Sequence, residues 1–115
     1  MRLEACVETL GECVLAQERG AQQLELCANL AEDGLTPSLE LVNQVLQKVS
    51  IPVKVMVRPR GGNFVYSEQE LVAMEAEIRA FRTLPVAGVV LGVLQGDRTL
   101  DLTATRRLAQ LAAPL

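Results

Sequence analysis

The sequence predicts four βα units of a (β/α)₈ barrel, a half-barrel with parallel strands, and three observations carry that prediction. Short strand-like runs alternate four times with helical runs along one domain spanning residues 1–115. Three of the strand-like runs keep one apolar and one mixed face, whereas an open doubly wound sheet buries both faces and reads as nearly continuous Val, Ile and Leu. A full barrel of this kind takes roughly 200 residues or more, and 115 residues supply half the units. The alternative architecture is an open flavodoxin-like α/β sheet.

The first strand is expected over Arg2 to Val7, with Leu3, Ala5 and Val7 on one side and Arg2, Glu4 and Cys6 on the other. Thr9, followed three residues later by Glu12, forms a capping box that opens a helix, and Gly20 ends it. Leu10, Cys13 and Val14 make its apolar stripe. The second strand runs from Gln23 to Cys27, with Leu24 and Leu26 opposite Gln23, Glu25 and Cys27. Thr36 as N-cap and Pro37 in the first turn begin the second helix, buried through Leu39, Val42, Val45, Leu46 and Val49.

Val53 to Arg58 forms the third strand, with Lys54, Met56 and Arg58 on its mixed face. Ser67 and Glu70 repeat the capping box, and Leu71, Met74, Ile78 and Phe81 face inward from the helix they open. Gly88 to Val93 is an almost wholly apolar fourth strand. Asp101 caps a last helix with Leu108, Leu111 and Ala112 inside, and the sequence stops at Pro114-Leu115, the end of a unit. In a barrel the mixed faces point into the lumen. Glu4, Glu25 and Lys54 then share a layer of low dielectric in which they neutralise one another.

Composition removes several function classes. The net charge of −3 gives no general attraction to nucleic acid or acidic lipid, and Phe64, Tyr66 and Phe81 are too few to stack bases. The longest apolar run, Val86 to Leu94, is too short to span a bilayer. Glu4 and Glu8 interrupt the place where a secretory signal would need apolar residues, so a cytoplasmic protein is expected. Cys6, Cys13 and Cys27 are an odd set without paired spacing, which favours reduced thiols over a disulfide framework. The chain has no histidine, and with it go the usual general base, the usual zinc ligand and any Cys-His or Ser-His nucleophile pair.

Ligands of such barrels bind at the carboxyl ends of the strands, where four features fall. Cys6 and Cys27 lie on the lumen side of adjacent strands, so two thiolates could share a soft metal such as Cu(I); equally, both read as small buried fillers. Arg58 and Arg60 stand just before a turn at Gly61-Gly62, a combination suited to a phosphate or carboxylate. In the plainer reading the arginines pair with Glu4 or Glu25. The Glu4–Glu25 pair suits acid–base work if the two environments differ, or a structural ion network with Lys54 and Arg58. Glu32, Asp33, Thr36 and Ser38, in the loop from Asn29 to Ser38, could hold a hydroxylated or cationic ligand, or remain solvated.

Taken in order, Glu4-Ala5-Cys6-Val7, Leu24-Glu25-Leu26-Cys27, Gly34-Leu35-Thr36-Pro37-Ser38 and Val57-Arg58-Pro59-Arg60-Gly61-Gly62, the last followed by Phe64, Tyr66 and Ser67, resemble the copper homeostasis protein CutC family. The match runs over nearly the whole chain, and Arg-Pro-Arg-Gly-Gly together with Glu-Leu-Cys is its specific part. The resemblance implies a cytoplasmic TIM-barrel protein linked to copper handling, with Cys6 and Cys27 matching the cysteines proposed to bind Cu(I). It implies no settled enzymatic reaction. Asn63 stands where the family often has Asp. The family also continues with four more units, including a His-Arg-Ala-Phe-Asp stretch and a later glycine-rich segment, and this sequence contains neither.

Three functions follow as expectations: a Cu(I)-binding homeostasis protein, an enzyme on a small anionic substrate gripped by Arg58 and Arg60, and an inactive half-barrel that self-associates. Four strands cannot close a barrel. A homodimer or larger assembly joined through the edges of the first and fourth strands is therefore expected.

Overall fold

Among the described residues, 2–113, the computed structural model alternates strands and helices along the chain. They are β1 (Glu4–Val7), α1 (Leu10–Glu18), β2 (Gln23–Leu26), α2 (Leu39–Lys48), β3 (Val53–Met56), α3 (Glu68–Phe81), β4 (Gly88–Val90) and α4 (Leu102–Ala112). The strands form one parallel sheet in the order β1-β2-β3-β4. This sequential order is that of part of a TIM barrel. It excludes the flavodoxin-like alternative, in which the first strand lies between the second and third. Pro114 and Leu115, where the sequence was expected to stop at a unit end, lie outside the described residues.

Alternation decides which face of each strand is buried. Val7, Leu24, Leu26, Val53, Val55 and Val57 are buried together with Cys13, Val42, Val45, Met74, Ile78, Phe81 and Leu108 from the helices. The core therefore lies between the sheet and the helices, and each fully buried Val, Leu or Ile side chain contributes roughly 1.5–3 kcal/mol through its removal from water. Glu4, Glu25, Lys54, Met56 and Val90 occupy the opposite face and are only half-buried.

Both predicted capping boxes form. Thr9 accepts from the Glu12 amide while the Glu12 carboxylate accepts from the Thr9 amide, and Ser67 and Glu70 repeat the exchange. Asp101 caps α4 as expected. Gly20 follows α1 at φ +100°, a left-handed conformation in which a side chain would be strained.

The second helix differs from its prediction. Ser38, not Thr36, is the N-cap of α2, its hydroxyl accepting from the Leu41 amide at 3.1 Å. Pro37 consequently precedes the helix instead of opening it. Leu39, placed on the buried stripe by periodicity, is 47% exposed, because starting the helix at residue 39 turns its first side chain outward. The strands are also shorter than the runs that predicted them. β1 starts at Glu4 and β4 ends at Val90, where the sheet ladder stops although the apolar sequence goes on.

Candidate functional site

The strand register arranges the lumen-facing side chains in rows. Cys6 lies beside Glu25, Glu25 beside Lys54 and Lys54 beside Gly88. One row nearer the amino ends, Glu4 pairs with Gln23; one row nearer the carboxyl ends, Met56 pairs with Val90. Since Leu26 pairs with Val55, Cys27 follows at the level of Met56. The two lumen cysteines are therefore diagonal neighbours, one strand and one row apart.

The charges predicted for the lumen do meet. Lys54 Nζ lies 3.6 Å from Glu4 Oε2, and the Gln23 amide donates to the same carboxylate oxygen. Arg58 takes no part in that network. Burial is the main cause that raises the Glu25 carboxyl above its ordinary value, with a hydrogen bond to Glu4 and the Glu4 charge adding to it, while Cys6 and Lys54 oppose. Glu25 thus holds its proton more firmly than an ordinary glutamate, the property a general acid on this face would need.

The three thiols differ in environment. Cys6 is exposed, so the reading of both lumen cysteines as buried fillers holds for Cys27 alone. Cys13 belongs to the core beneath α1. Burial, assisted by the Glu25, Cys6 and Glu8 charges, pushes the Cys27 thiol up to about 11. Partial burial and the Glu25 and Glu4 charges raise Cys6 as well. Among the described residues no three or more His, Cys, Asp or Glu side chains converge as a metal cage. The thiol pair, with the Met56 thioether in the Cys27 row, is the soft donor set on this face.

The Arg58-to-Asn63 segment is built around its arginines. Arg58 is 5% exposed and donates from Nη1 to the carbonyls of Glu32 (2.7 Å) and Gly34 (3.2 Å), and from Nη2 to that of Gly62 (2.9 Å). Its guanidinium stacks 4.8 Å from the Phe64 ring centre, and Nε has no partner. Neither arginine pairs with Glu4 or Glu25, since both reach forward into the loops. Arg60 donates to Glu70 from Nε and Nη2, to the Gly61 and Asn63 carbonyls from Nη1 and to the Val65 carbonyl from Nη2. It also stacks 4.8 Å from the Tyr66 ring centre. The hydrogen bond to Arg60 is the main cause that lowers the Glu70 carboxyl below the usual range.

The Asn29-to-Ser38 loop spends most of its polar groups on itself and its neighbours. Asn29 donates to the Glu32 carboxylate, and the Leu30 amide donates to the Glu8 carboxylate. Thr36 donates to Glu77 Oε2 and accepts from the Arg58 amide, each at 2.8 Å. Asp33 lines a cavity of about 200 Å³ at the carboxyl ends of β3 and β4, together with Met56, Arg58, Phe64, Tyr66 and Val90. Sequence reasoning gave Tyr66, Glu70 and Glu77 no place near the site. Glu70 was legible only as a helix cap, and Glu77, on the α3 face, bore no signal of its tie to Thr36.

Comparisons with known proteins agree with this architecture. The chain is 47% identical over 113 residues to a CutC family protein of Mesorhizobium japonicum, covering 98% of this chain and 44% of that protein. It is 41% identical to the human copper homeostasis protein cutC homolog, over 98% of this chain and 41% of that one. The crystal structure of a CutC copper homeostasis protein from Streptococcus agalactiae superimposes with a TM-score of 0.90 at 38% identity, over 100% of this chain and 57% of that one. The chain thus spans less than half the length of these two sequence relatives. With the CutC family profile matching residues 1–115, the chain belongs to the CutC family.

Proposed function

We propose that this chain takes part in cytoplasmic copper homeostasis by binding Cu(I) through Cys6 and Cys27. One observation carries the reading: an exposed and a buried thiol share the lumen face of adjacent strands, one row apart, beside the carboxyls of Glu4 and Glu25. Thiolates are the ligands a soft monovalent copper ion selects. The neighbouring carboxyls raise the thiol proton affinities, but their negative charge favours a cation once the protons have left. Binding must therefore release thiol protons and strengthen as pH rises. The human and streptococcal relatives are both named for copper homeostasis, which supports the same role. As those relatives are longer, the activity of a whole protein is part of this proposal.

The test is a Cu(I) titration under reducing conditions. Cys6→Ser or Cys27→Ser should weaken binding, and Cys13→Ala, in the core beneath α1, should leave it unchanged. Equal losses in all three variants, or no stoichiometric binding by the parent chain, would reject the thiol site.

A further inference from the structure

We propose that the cavity at the carboxyl ends of β3 and β4 binds a small carboxylate with a short apolar body, held by Arg58 and Tyr66. This site goes beyond the copper reading, and neither Cys6 nor Cys27 lines it.

Arg58 is a buried cation whose hydrogen-bond partners are all neutral. Its acceptors are the carbonyls of Glu32, Gly34 and Gly62, and among the described residues no carboxylate comes within ion-pair distance. A guanidinium has five N–H donors. Three are placed on those carbonyls, which leaves Nε–H and one on Nη2, and Nε is buried without a partner. Arg60 contrasts with it, since five bonds to protein groups use all its donors. Of the two arginines, only Arg58 keeps capacity for a ligand.

The Tyr66 hydroxyl is the second orphan, also buried without a partner. Burial is the main cause that raises its proton affinity, while the Arg58 and Arg60 charges and the nearness of the Arg58 guanidinium as a donor oppose it. The net shift is upward, so it remains an O–H donor at neutral pH. Arg58 and Tyr66 line the same cavity, but no hydrogen bond of acceptable geometry joins them. Buried polar groups without partners are rare and costly. A carboxylate would accept from both and supply the missing counter-charge.

Shape narrows the ligand further. Met56, Phe64, Val90 and Leu91 make most of the remaining wall apolar. Asp33 is its one acidic group, outside ion-pair distance of Arg58, so an anion is favoured only at the Arg58 end. The cavity volume of about 200 Å³ lies below the roughly 300–1,000 Å³ that holds drug-sized molecules. A bare inorganic anion would leave the apolar wall unused, and a sugar phosphate would bring hydroxyls to it without partners.

Amide NMR titration of the 115-residue chain with three probes tests the proposal: 3-methylbutanoate, the uncharged 3-methylbutanamide and inorganic phosphate. The carboxylate should shift the Phe64, Tyr66 and Gly92 amides saturably and bind at least about tenfold more tightly than the amide. Tyr66→Phe, which keeps the ring and removes one donor, should weaken carboxylate binding about tenfold. Lys48→Gln, a charge removed near the amino end of β3, should change nothing. Equal binding of amide and carboxylate, no saturable shift with any probe, or an unaffected Tyr66→Phe variant would overturn the site. Phosphate binding as tightly as 3-methylbutanoate would overturn its apolar half.

Discussion

Cys27 and Met56 both close on Gly34: a side-chain carbon on that glycine would lie 3.3 Å from the Cys27 Sγ and 3.7 Å from the Met56 methyl. Gly34 also sits at φ +95°, where any other residue is strained. Gly34→Ala should therefore cost about 1–3 kcal/mol of stability, seen as a lower urea midpoint with an unchanged slope. A midpoint equal to that of the parent would mean that the turn relaxes freely.

Glu77 gives a prediction about pH. Burial raises its carboxyl above the ordinary value, with the Thr36 hydroxyl only partly opposing. A folded-state value above the unfolded one stabilises at low pH, and that contribution fades as pH rises through the folded value. Glu77→Gln keeps an acceptor for Thr36 and removes the titration. Unfolding titrations from about pH 4, near the unfolded glutamate value, up to 7 should show the variant gaining stability relative to the parent. A difference constant across that range would contradict the assignment.

The thiols should react in a fixed order. Cys6 is exposed, whereas Cys13 and Cys27 are 0% and 1% exposed and both pushed up to about 11. Near pH 8 a maleimide followed by mass spectrometry should label Cys6 first, and the other two only on unfolding. Early labelling of Cys27 would show that the loop over it opens readily.

A fourth prediction concerns association. β1 and β4 are the outer strands of the described sheet, and the β4 sequence Gly-Val-Val carries no charge or proline to blunt its edge. We propose that copies of the 115-residue chain pair β1 of one with β4 of another. Sedimentation should give at least a dimer at micromolar concentration, and Val89→Pro, which removes an edge amide, should weaken it. A well-folded monomer would defeat the proposal.

The fold was readable because each unit writes its own signal locally. Alternation in Val53-Lys54-Val55-Met56 and the Thr9/Glu12 and Ser67/Glu70 boxes all act within a few residues of themselves. The errors lie where the partner is distant or is backbone. Thr36 and Ser38 flank Pro37 as equally good caps, and a glutamate 41 residues away takes Thr36. Arg58 looked available to lumen carboxylates, yet three loop carbonyls hold it, and a carbonyl has no letter in a sequence. The Glu4–Lys54 pairing was legible in kind, since both lie on mixed strand faces. The one-row offset of Cys6 from Cys27 was not, because it depends on register.

The sequential strand order has a consequence for synthesis. Among the described residues, each strand pairs with its immediate neighbours in chain order. A ribosome emits about 5–20 residues per second, whereas short-range closures finish in microseconds. β1 and β2 can thus zip together while β3 is still in the exit tunnel, and each new unit docks on a finished edge. Such growth keeps loop closures short, and the nascent chain at every stage offers one fresh edge to its own next strand before another molecule can reach it.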